Sequence, residues 1–239
     1  MSVLGVIPAR FASTRFPGKV LVPIDGIPMV ARVYYQVIQC REVNSVIVAT
    51  ESDQVKEAME ELNIPVELTR SDHNTGTERS AEIALHREDE IVVNIQADEP
   101  FIAPGIIDDT VSILLDIKGV HMSTAATTCL TQEEWINPHV VKVVVDENGF
   151  AQNFFRIKQG KLSNKYYKHI GVYAFRKDFL LKLVKRDKSP REIELRLEQM
   201  RALDAGDKIT VSVTQDNVVS INTPNDINIL KEERRIAQE

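Results

Sequence analysis

Residues 45–69 read SVIVATESDQVKEAMEELNIPVELT. The first six (45–50) are rich in β-branched side chains and form a strand pattern. Residues 51–62 then alternate charged and apolar positions at helical spacing, and 65–69 returns to a strand. This strand–helix–strand unit repeats in both directions. Toward the C-terminus, 77–87 is helical in pattern and EIVVNIQ (90–96) is a buried strand that ends in the acidic turn Ala97-Asp98-Glu99-Pro100. Toward the N-terminus, the apolar run 3–8 stops abruptly in a polar loop containing Pro17 and Gly18. A helix over 28–40 follows, with Met29, Val33 and Val37 at helical spacing and proline in the first turn. Alternation of this kind predicts an α/β fold, a mostly parallel sheet sandwiched by helices. Ligands of such sheets bind at the carboxyl ends of the strands. The loop after the first strand and the Asp98 turn both lie at such ends, and so converge on one site.

The second half is less regular. Strand patterns occur at 121–128, 140–146, 150–155, 169–175 and 209–213, and helical ones at 177–186, 191–205 and 224–238. The turn Asp146-Glu147-Asn148-Gly149 folds 140–155 into a hairpin. The expected organisation is one domain over 1–239 with a small β-rich inserted subdomain at about 137–175.

Composition narrows the function classes. The 239 residues are 43% hydrophobic and 27% charged, in the range of soluble globular chains rather than disordered or membrane-spanning ones. No apolar run reaches the ~20 residues that span a bilayer, and the start lacks the basic segment of a secretory signal. Two cysteines without CxxC spacing suit a reducing, cytoplasmic setting. A net charge of −6 argues against a nucleic-acid partner. Against that background Arg10, Arg15 and Lys19 cluster within ten residues with no acid among them, a pattern suited to a small anionic ligand.

That cluster lies in IPARFASTRFPGK (residues 7–19). Its small residues let backbone N–H groups approach phosphate oxygens, while two arginines and a lysine neutralise charge. Neither a Walker A loop nor a Rossmann fingerprint is present. Asp98 and Glu99 place hard oxygen ligands beside such a pocket, which suits Mg2+. Thr75-Gly76-Thr77-Glu78-Arg79 looks like a helix start that can cap the helix, with Glu78 completing a capping box. It can equally read a base or bind phosphate. His169 and Tyr173, four apart on a strand, face one side. In a helix over 191–205, Glu198 and Gln199 fall on what periodicity makes a solvated face.

IPARFASTRFPGK resembles the opening signature of the CMP-sugar synthetases, specifically the CMP-Kdo synthetase (3-deoxy-manno-octulosonate cytidylyltransferase) family. RSDHNTGTERSAE (70–82) and VVNIQADEPFI (92–102) are similar to that family's next two blocks. NPHVVKVVVDENGFA, YYKHIGVYAFRKDFL and RLEQMRAL are similar to three more, in order along nearly the whole chain. The resemblance implies a nucleotide-diphospho-sugar transferase-like fold and transfer of CMP from CTP to Kdo, with release of pyrophosphate, for lipopolysaccharide synthesis. It implies Mg2+ as cofactor and a homodimer. Arg10, Lys19 and Asp98 become the catalytic set, and Arg10, Ser13, Arg15, Lys19, Thr75, Gly76, Arg79 and Gln96 the nucleotide-binding set. Gln96, Arg156, His169, Tyr173, Glu198 and Gln199 become the sugar-binding set, and Asp98 and Asn222 the metal ligands.

Three departures from the family pattern stand out. Asn222 occupies the place of a second metal aspartate, Ala97 that of a glycine, and Ile157-Lys158-Gln159 follows Arg156 where the family changes to isoleucine–proline. They keep two alternatives in view: another acidic sugar (amino-Kdo or a nonulosonic acid) as acceptor, and a catalytically weakened nucleotide-binding paralogue.

Overall fold

The computed structural model describes residues 1–12, 16–157, 160–221 and 223–227. The chain opens with β1 (Val3–Pro8), then a short 3-10 turn (Lys19–Leu21) and a small ribbon of β2 (Pro23–Ile24) and β3 (Ile27–Pro28). The first half continues through α1 (Met29–Val37), β4 (Ser45–Thr50), α2 (Asp53–Glu61), β5 (Val66–Leu68), α3 (Gly76–Leu85) and β6 (Ile91–Ile95). Next come α4 (Pro104–Asp116), β7 (Met122–Thr127), α5 (Gln132–Ile136), β8 (Lys142–Val145), β9 (Ala151–Phe155) and β10 (Tyr166–Arg176). The last elements are α6 (Lys177–Leu183), α7 (Pro190–Leu195), α8 (Met200–Asp204) and β11 (Ile209–Thr214). No helix of the described residues is long and apolar enough to cross a membrane.

The main sheet has the order β11-β7-β10-β6-β1-β4-β5. β1 pairs in parallel with β4 and β6, β4 with β5, and β7 with β11. β10 runs against both its neighbours, β6 and β7, and is the one reversed strand of this path. Beyond the β6 edge, the first residues of β10 pair with the β8–β9 hairpin, which extends the same sheet sideways. The Asp146 carboxylate closes that hairpin by accepting from the Asn148 and Phe150 amides at 2.9 Å, with Gly149 at φ 82°.

Side-chain alternation sorts the core into two layers. Val3, Ile7, Ile91, Val93 and Ile95 pack with α1, α2 and α4 on one face. Leu4, Val6, Val92, Tyr173 and Phe175 pack with α3, α6 and α8 on the other. Because both faces are covered, the parallel strands read as continuous apolar runs.

Two helices depart from the periodic pattern. α4 was not expected, although Pro104 at its first turn is a start signal, and its buried Ile106, Ile107, Val111 and Leu114 sit at helical spacing. The helix expected over 191–205 is broken. α7 ends at Leu195, Arg196 takes the left-handed conformation (φ 53°), and α8 begins only at Met200. Ser189 caps α7 and Pro190 opens it. The break turns Glu198 and Gln199 inward, so the solvated face that periodicity assigned them does not exist. Gln199 is 2% exposed. Of the helix expected over 224–238, residues 224–227 are helical and the rest lies outside the described residues.

Arg201 of α8 fixes the broken segment. Its guanidinium meets buried Glu192 of α7 with two bonds (2.8 and 2.6 Å) and reaches Glu78 of α3 at 3.4 Å. Bidentate pairing of this kind needs the planar fork of arginine. Replacing Arg201 with alanine would leave Glu192 buried and unpaired, at a cost of about 3–5 kcal/mol. Urea unfolding should show that loss, and Arg201→Lys should recover only part of it.

Candidate active site

β1 and β6 end side by side, and their C-terminal loops open a cleft of about 240 Å³. Arg10 and Lys19 come from the first loop, Gln96, Ala97 and Asp98 from the β6 turn, and His73, Asn74, Thr75, Gly76 and Arg79 from the entry into α3. Seven of the nine residues expected in the catalytic and nucleotide-binding sets thus meet: Arg10, Lys19, Thr75, Gly76, Arg79, Gln96 and Asp98. Arg15, Ser13 and Asn222 lie outside the described residues.

The centre of the cleft is a pair of opposite charges. Lys19 Nζ donates to Asp98 Oδ2 at 2.6 Å and to the Ile221 carbonyl at 3.1 Å. The Ile221 amide returns a bond to the Asp98 carbonyl at 2.8 Å. The chain entering position 222 is therefore held at the Asp98 turn. Gly18, at φ 68°, lets the first loop reverse into the 3-10 turn that carries Lys19, a conformation that any side chain would strain.

Arg79 is buried beneath this loop. It pairs with Glu51 at 2.8 Å and bonds the Thr69 hydroxyl and the Arg70 carbonyl. Glu51 also accepts from the Phe11 amide at 3.0 Å, so the Arg79–Glu51 pair ties α3 to the loop after β1. Burial lowers the pKa of Arg79 from its ordinary value, and Glu51 opposes that shift. Glu51 was not among the expected residues. Its place directly after β4, at a strand's carboxyl end, is the signal that could have found it.

Thr75 caps α3 as expected, accepting from the Glu78 amide at 3.1 Å. The expected capping box is only half made, because the Glu78 carboxylate bonds the Asn74 amide (2.8 Å) rather than that of Thr75. The Thr77 amide donates to Glu198 at 3.3 Å, and the Thr75 and Thr77 hydroxyls do the same. Burial raises the Glu198 pKa against those bonds.

The remaining residues expected to hold the sugar gather around an irregularity in β10. His169 is opposite Ala126 and Tyr173 opposite Thr124, so four residues on β10 span two on β7. On a regular strand such residues stand ~13 Å apart, whereas this bulge brings the His169 and Tyr173 rings to 5.4 Å. Burial holds the His169 pKa down at about 3 and pushes that of Tyr173 well up, so both are neutral. The Thr124 hydroxyl donates to the Val172 carbonyl (2.7 Å) and therefore accepts from His169 Nε2–H (2.9 Å), which leaves Nδ1 of that ring as an acceptor.

Glu99 secures the bulge from behind. Its carboxylate is 3% exposed and accepts from the Gly171 amide at 2.9 Å and from the Ser220 hydroxyl at 3.3 Å. Burial and the neighbouring Asp98 raise its pKa to about 7. Gln96 lies against Gly171, where a Cβ would sit 2.7 Å from Gln96 Cγ and 3.1 Å from Glu99 Oε1.

Arg156 is placed differently from the expectation of a guanidinium presented to ligand. Its Nε donates to the Leu195 carbonyl (2.9 Å), and its terminal nitrogens reach those of Pro138, His139 and Arg196 at 3.3–3.4 Å. It clamps the hairpin base to the break after α7, and its positive charge still acts on His169. Buried Lys142 holds the Arg156 carbonyl at 3.0 Å and that of Asn137 at 2.6 Å.

A family model described as cytidylyltransferase matches residues 4–209. The chain belongs to the cytidylyltransferase family. Among curated relatives, the 3-deoxy-manno-octulosonate cytidylyltransferase of Geobacter sulfurreducens is 40% identical over 95% of this chain and 97% of that relative. The enzyme of the same name from Pelobacter propionicus is 38% identical over 100% of this chain and 99% of its own length. A solved structure of CMP:2-keto-3-deoxy-manno-octonic acid synthetase complexed with CTP superposes with a TM-score of 0.90 at 32% identity, covering 100% and 99% of the two chains. The mostly parallel, helix-covered sheet of this cytidylyltransferase is that fold.

Gly171 gives a sharp test of the bulge. In Gly171→Ala the methyl group must displace Gln96 or Glu99, so turnover should fall at least about tenfold. The melting temperature should drop by no more than a few degrees; wild-type turnover in Gly171→Ala would show that the bulge can yield.

Proposed function

We propose that this cytidylyltransferase transfers CMP from CTP to a 2-keto-3-deoxy sugar acid, Kdo, with release of pyrophosphate. The observation that carries the reading is the Lys19–Asp98 pair in a cleft shared with Arg10, at the carboxyl ends of β1 and β6. Full-length similarity to relatives named for that activity supports the choice of Kdo.

Arg10 and Lys19 bind the triphosphate and spread its charge as pyrophosphate leaves; Ser13 and Arg15 of the same loop join them. The cleft aligns the anomeric hydroxyl with the α-phosphorus, and alignment and charge are most of what phosphoryl transfer needs. The donor set fits Mg2+, which takes one or two carboxylates together with substrate phosphates. Asp98 faces the cleft already beside a cation, and the Ile221 amide donates to the Asp98 carbonyl at the residue that precedes Asn222 in the sequence. Among the described residues no group of three His, Cys, Asp or Glu forms a self-sufficient metal cage, so the substrate's phosphates complete the set. Asp98 and Asn222 would hold the ion, which supplies Lewis-acid stabilisation of phosphoryl oxygens.

On the acceptor side, neutral His169 offers Nδ1 to a sugar hydroxyl, and Gln96, Tyr173, Glu198 and Gln199 add polar contacts. Buried Gln199 Nε2 finds no acceptor among the described residues, an unmet donor that a hydroxyl can satisfy. Arg156 contributes positive potential toward the sugar carboxylate while it fixes the hairpin. Residues 137–175 thereby act as the acceptor-side subdomain. A cytoplasmic location and a homodimer belong to the same reading, the latter checked by light scattering.

Pyrophosphate release from CTP should require both Kdo and Mg2+. A panel with amino-Kdo and a nonulosonic acid in place of Kdo tests the acceptor, and release with one of those alone would overturn the choice of Kdo. CTP binding without turnover on any acceptor would favour a non-catalytic nucleotide-binding protein. Lys19→Ala should lower kcat/KM for CTP by about a hundredfold or more. Asp98→Asn should raise the Mg2+ concentration needed for half-maximal rate, and an unchanged requirement would remove Asp98 from the metal site.

A further inference from the structure

Arg10 is the first cation beyond β1 and lies exposed on the cleft wall. A free arginine side chain carries about 2 kcal/mol of rotamer entropy, and the backbone beneath it adds two soft dihedrals. Those two dihedrals are fixed once the peptide planes on either side are fixed, because the peptide bond itself does not turn. Both planes are held by one dipeptide, Thr50-Glu51, at the end of β4. The Thr50 hydroxyl donates to the Ala9 carbonyl at 2.7 Å, which pins the plane before Arg10. The Glu51 carboxylate accepts from the Phe11 amide at 3.0 Å, which pins the plane after it.

The dipeptide is itself held from its far side. Thr50 is buried, its hydroxyl also accepts from the Ser52 amide at 3.2 Å, and its carbonyl takes the Thr69 amide and hydroxyl at 2.8 and 3.1 Å. The second oxygen of Glu51 pairs at 2.8 Å with the buried guanidinium of Arg79, which also bonds the Thr69 hydroxyl. Burial first, and then the positive charge of Arg10, lowers the pKa of Arg79, while Glu51 and Glu82 raise it. The two arginines are therefore close enough to repel each other. Glu51 offsets that repulsion with the same carboxylate that holds the backbone of the Arg10 loop.

We propose that Glu51 is a positioning residue for Arg10: with Thr50 it fixes the backbone on both sides of that arginine and so presents the guanidinium to the triphosphate before the nucleotide arrives. Glu51 acts through Arg10 and not on the substrate itself. A donor held in place in advance loses little freedom on binding, which is how preorganised sites gain affinity. The proposal rests on the reading that Arg10 binds the triphosphate, and reaches past it to the groups that make Arg10 ready.

The test is a double-mutant cycle read by calorimetric binding of CTP with Mg2+ to the full chain, without acceptor, each variant's melting temperature being recorded. Glu51→Gln keeps the side chain's length but has one acceptor oxygen for two donors, Phe11 and Arg79. It should weaken CTP binding about tenfold. Thr50→Val removes the bond to Ala9, leaves Arg79 its partner, and should weaken binding in the same direction. In an Arg10→Ala background either substitution should cost less than about twofold more, because the group it positions is gone. Losses that add in full to that of Arg10→Ala would mean that Glu51 acts by another route, through Arg79 or through stability, and would overturn the proposal. Wild-type CTP affinity in both Glu51→Gln and Thr50→Val would overturn it too. If Arg10→Ala binds CTP as wild type does, the triphosphate reading of Arg10 falls and takes the proposal with it; additivity beside a weakened Arg10→Ala removes the proposal alone.

Discussion

Glu99, at the Asp98 turn, sets a carboxylate where almost no water reaches it and gives it two partners distant in sequence: the Gly171 amide in the β10 bulge and the Ser220 hydroxyl. Removing a buried carboxylate's partners costs several kcal/mol, so these segments hold their positions together or not at all. Glu99 thereby ties the turn that carries Asp98 to the bulge in β10 and to the segment that carries Ser220. The spacing between the Asp98 turn and the His169 bulge is in this sense a property of one side chain.

Reversal of β10 is the second constraint. Parallel strands deliver their loops to one end of the sheet, which explains why β1 and β6 present Lys19 and Asp98 side by side. A strand running the other way delivers its first residues to that same end. His169 and Gly171 therefore reach the cleft end from the beginning of a strand rather than from a loop, and the bulge, pinned by Thr124 and Glu99, sets how far they project.

The parallel part of the fold was legible because its cause is local. Strands buried on both faces must be continuously apolar, and SVIVAT, EIVVNIQ and the run from Val3 are. The cationic loop and the acidic turn were legible for the same reason, since charge clustered at strand ends needs an explanation. The break at Arg196 was not, because a left-handed residue between two helical runs leaves no mark on apolar periodicity. Nor was the β10 bulge, which arises from a carboxylate 72 residues away in the chain. Arg156 was recognised by its motif, yet four backbone carbonyls that no pattern announces engage its guanidinium. Glu51 escaped because it acts through Arg79, a partner on a different element.

Among the described residues, the β8–β9 hairpin pairs with the rest of the sheet through the opening residues of β10 and an isolated bridge between Phe150 and Thr210. Lengthening or recasting it leaves the pairing of β1, β4, β5 and β6 untouched. A change confined to this appendage therefore leaves the strand ends that carry Lys19 and Asp98 where they are.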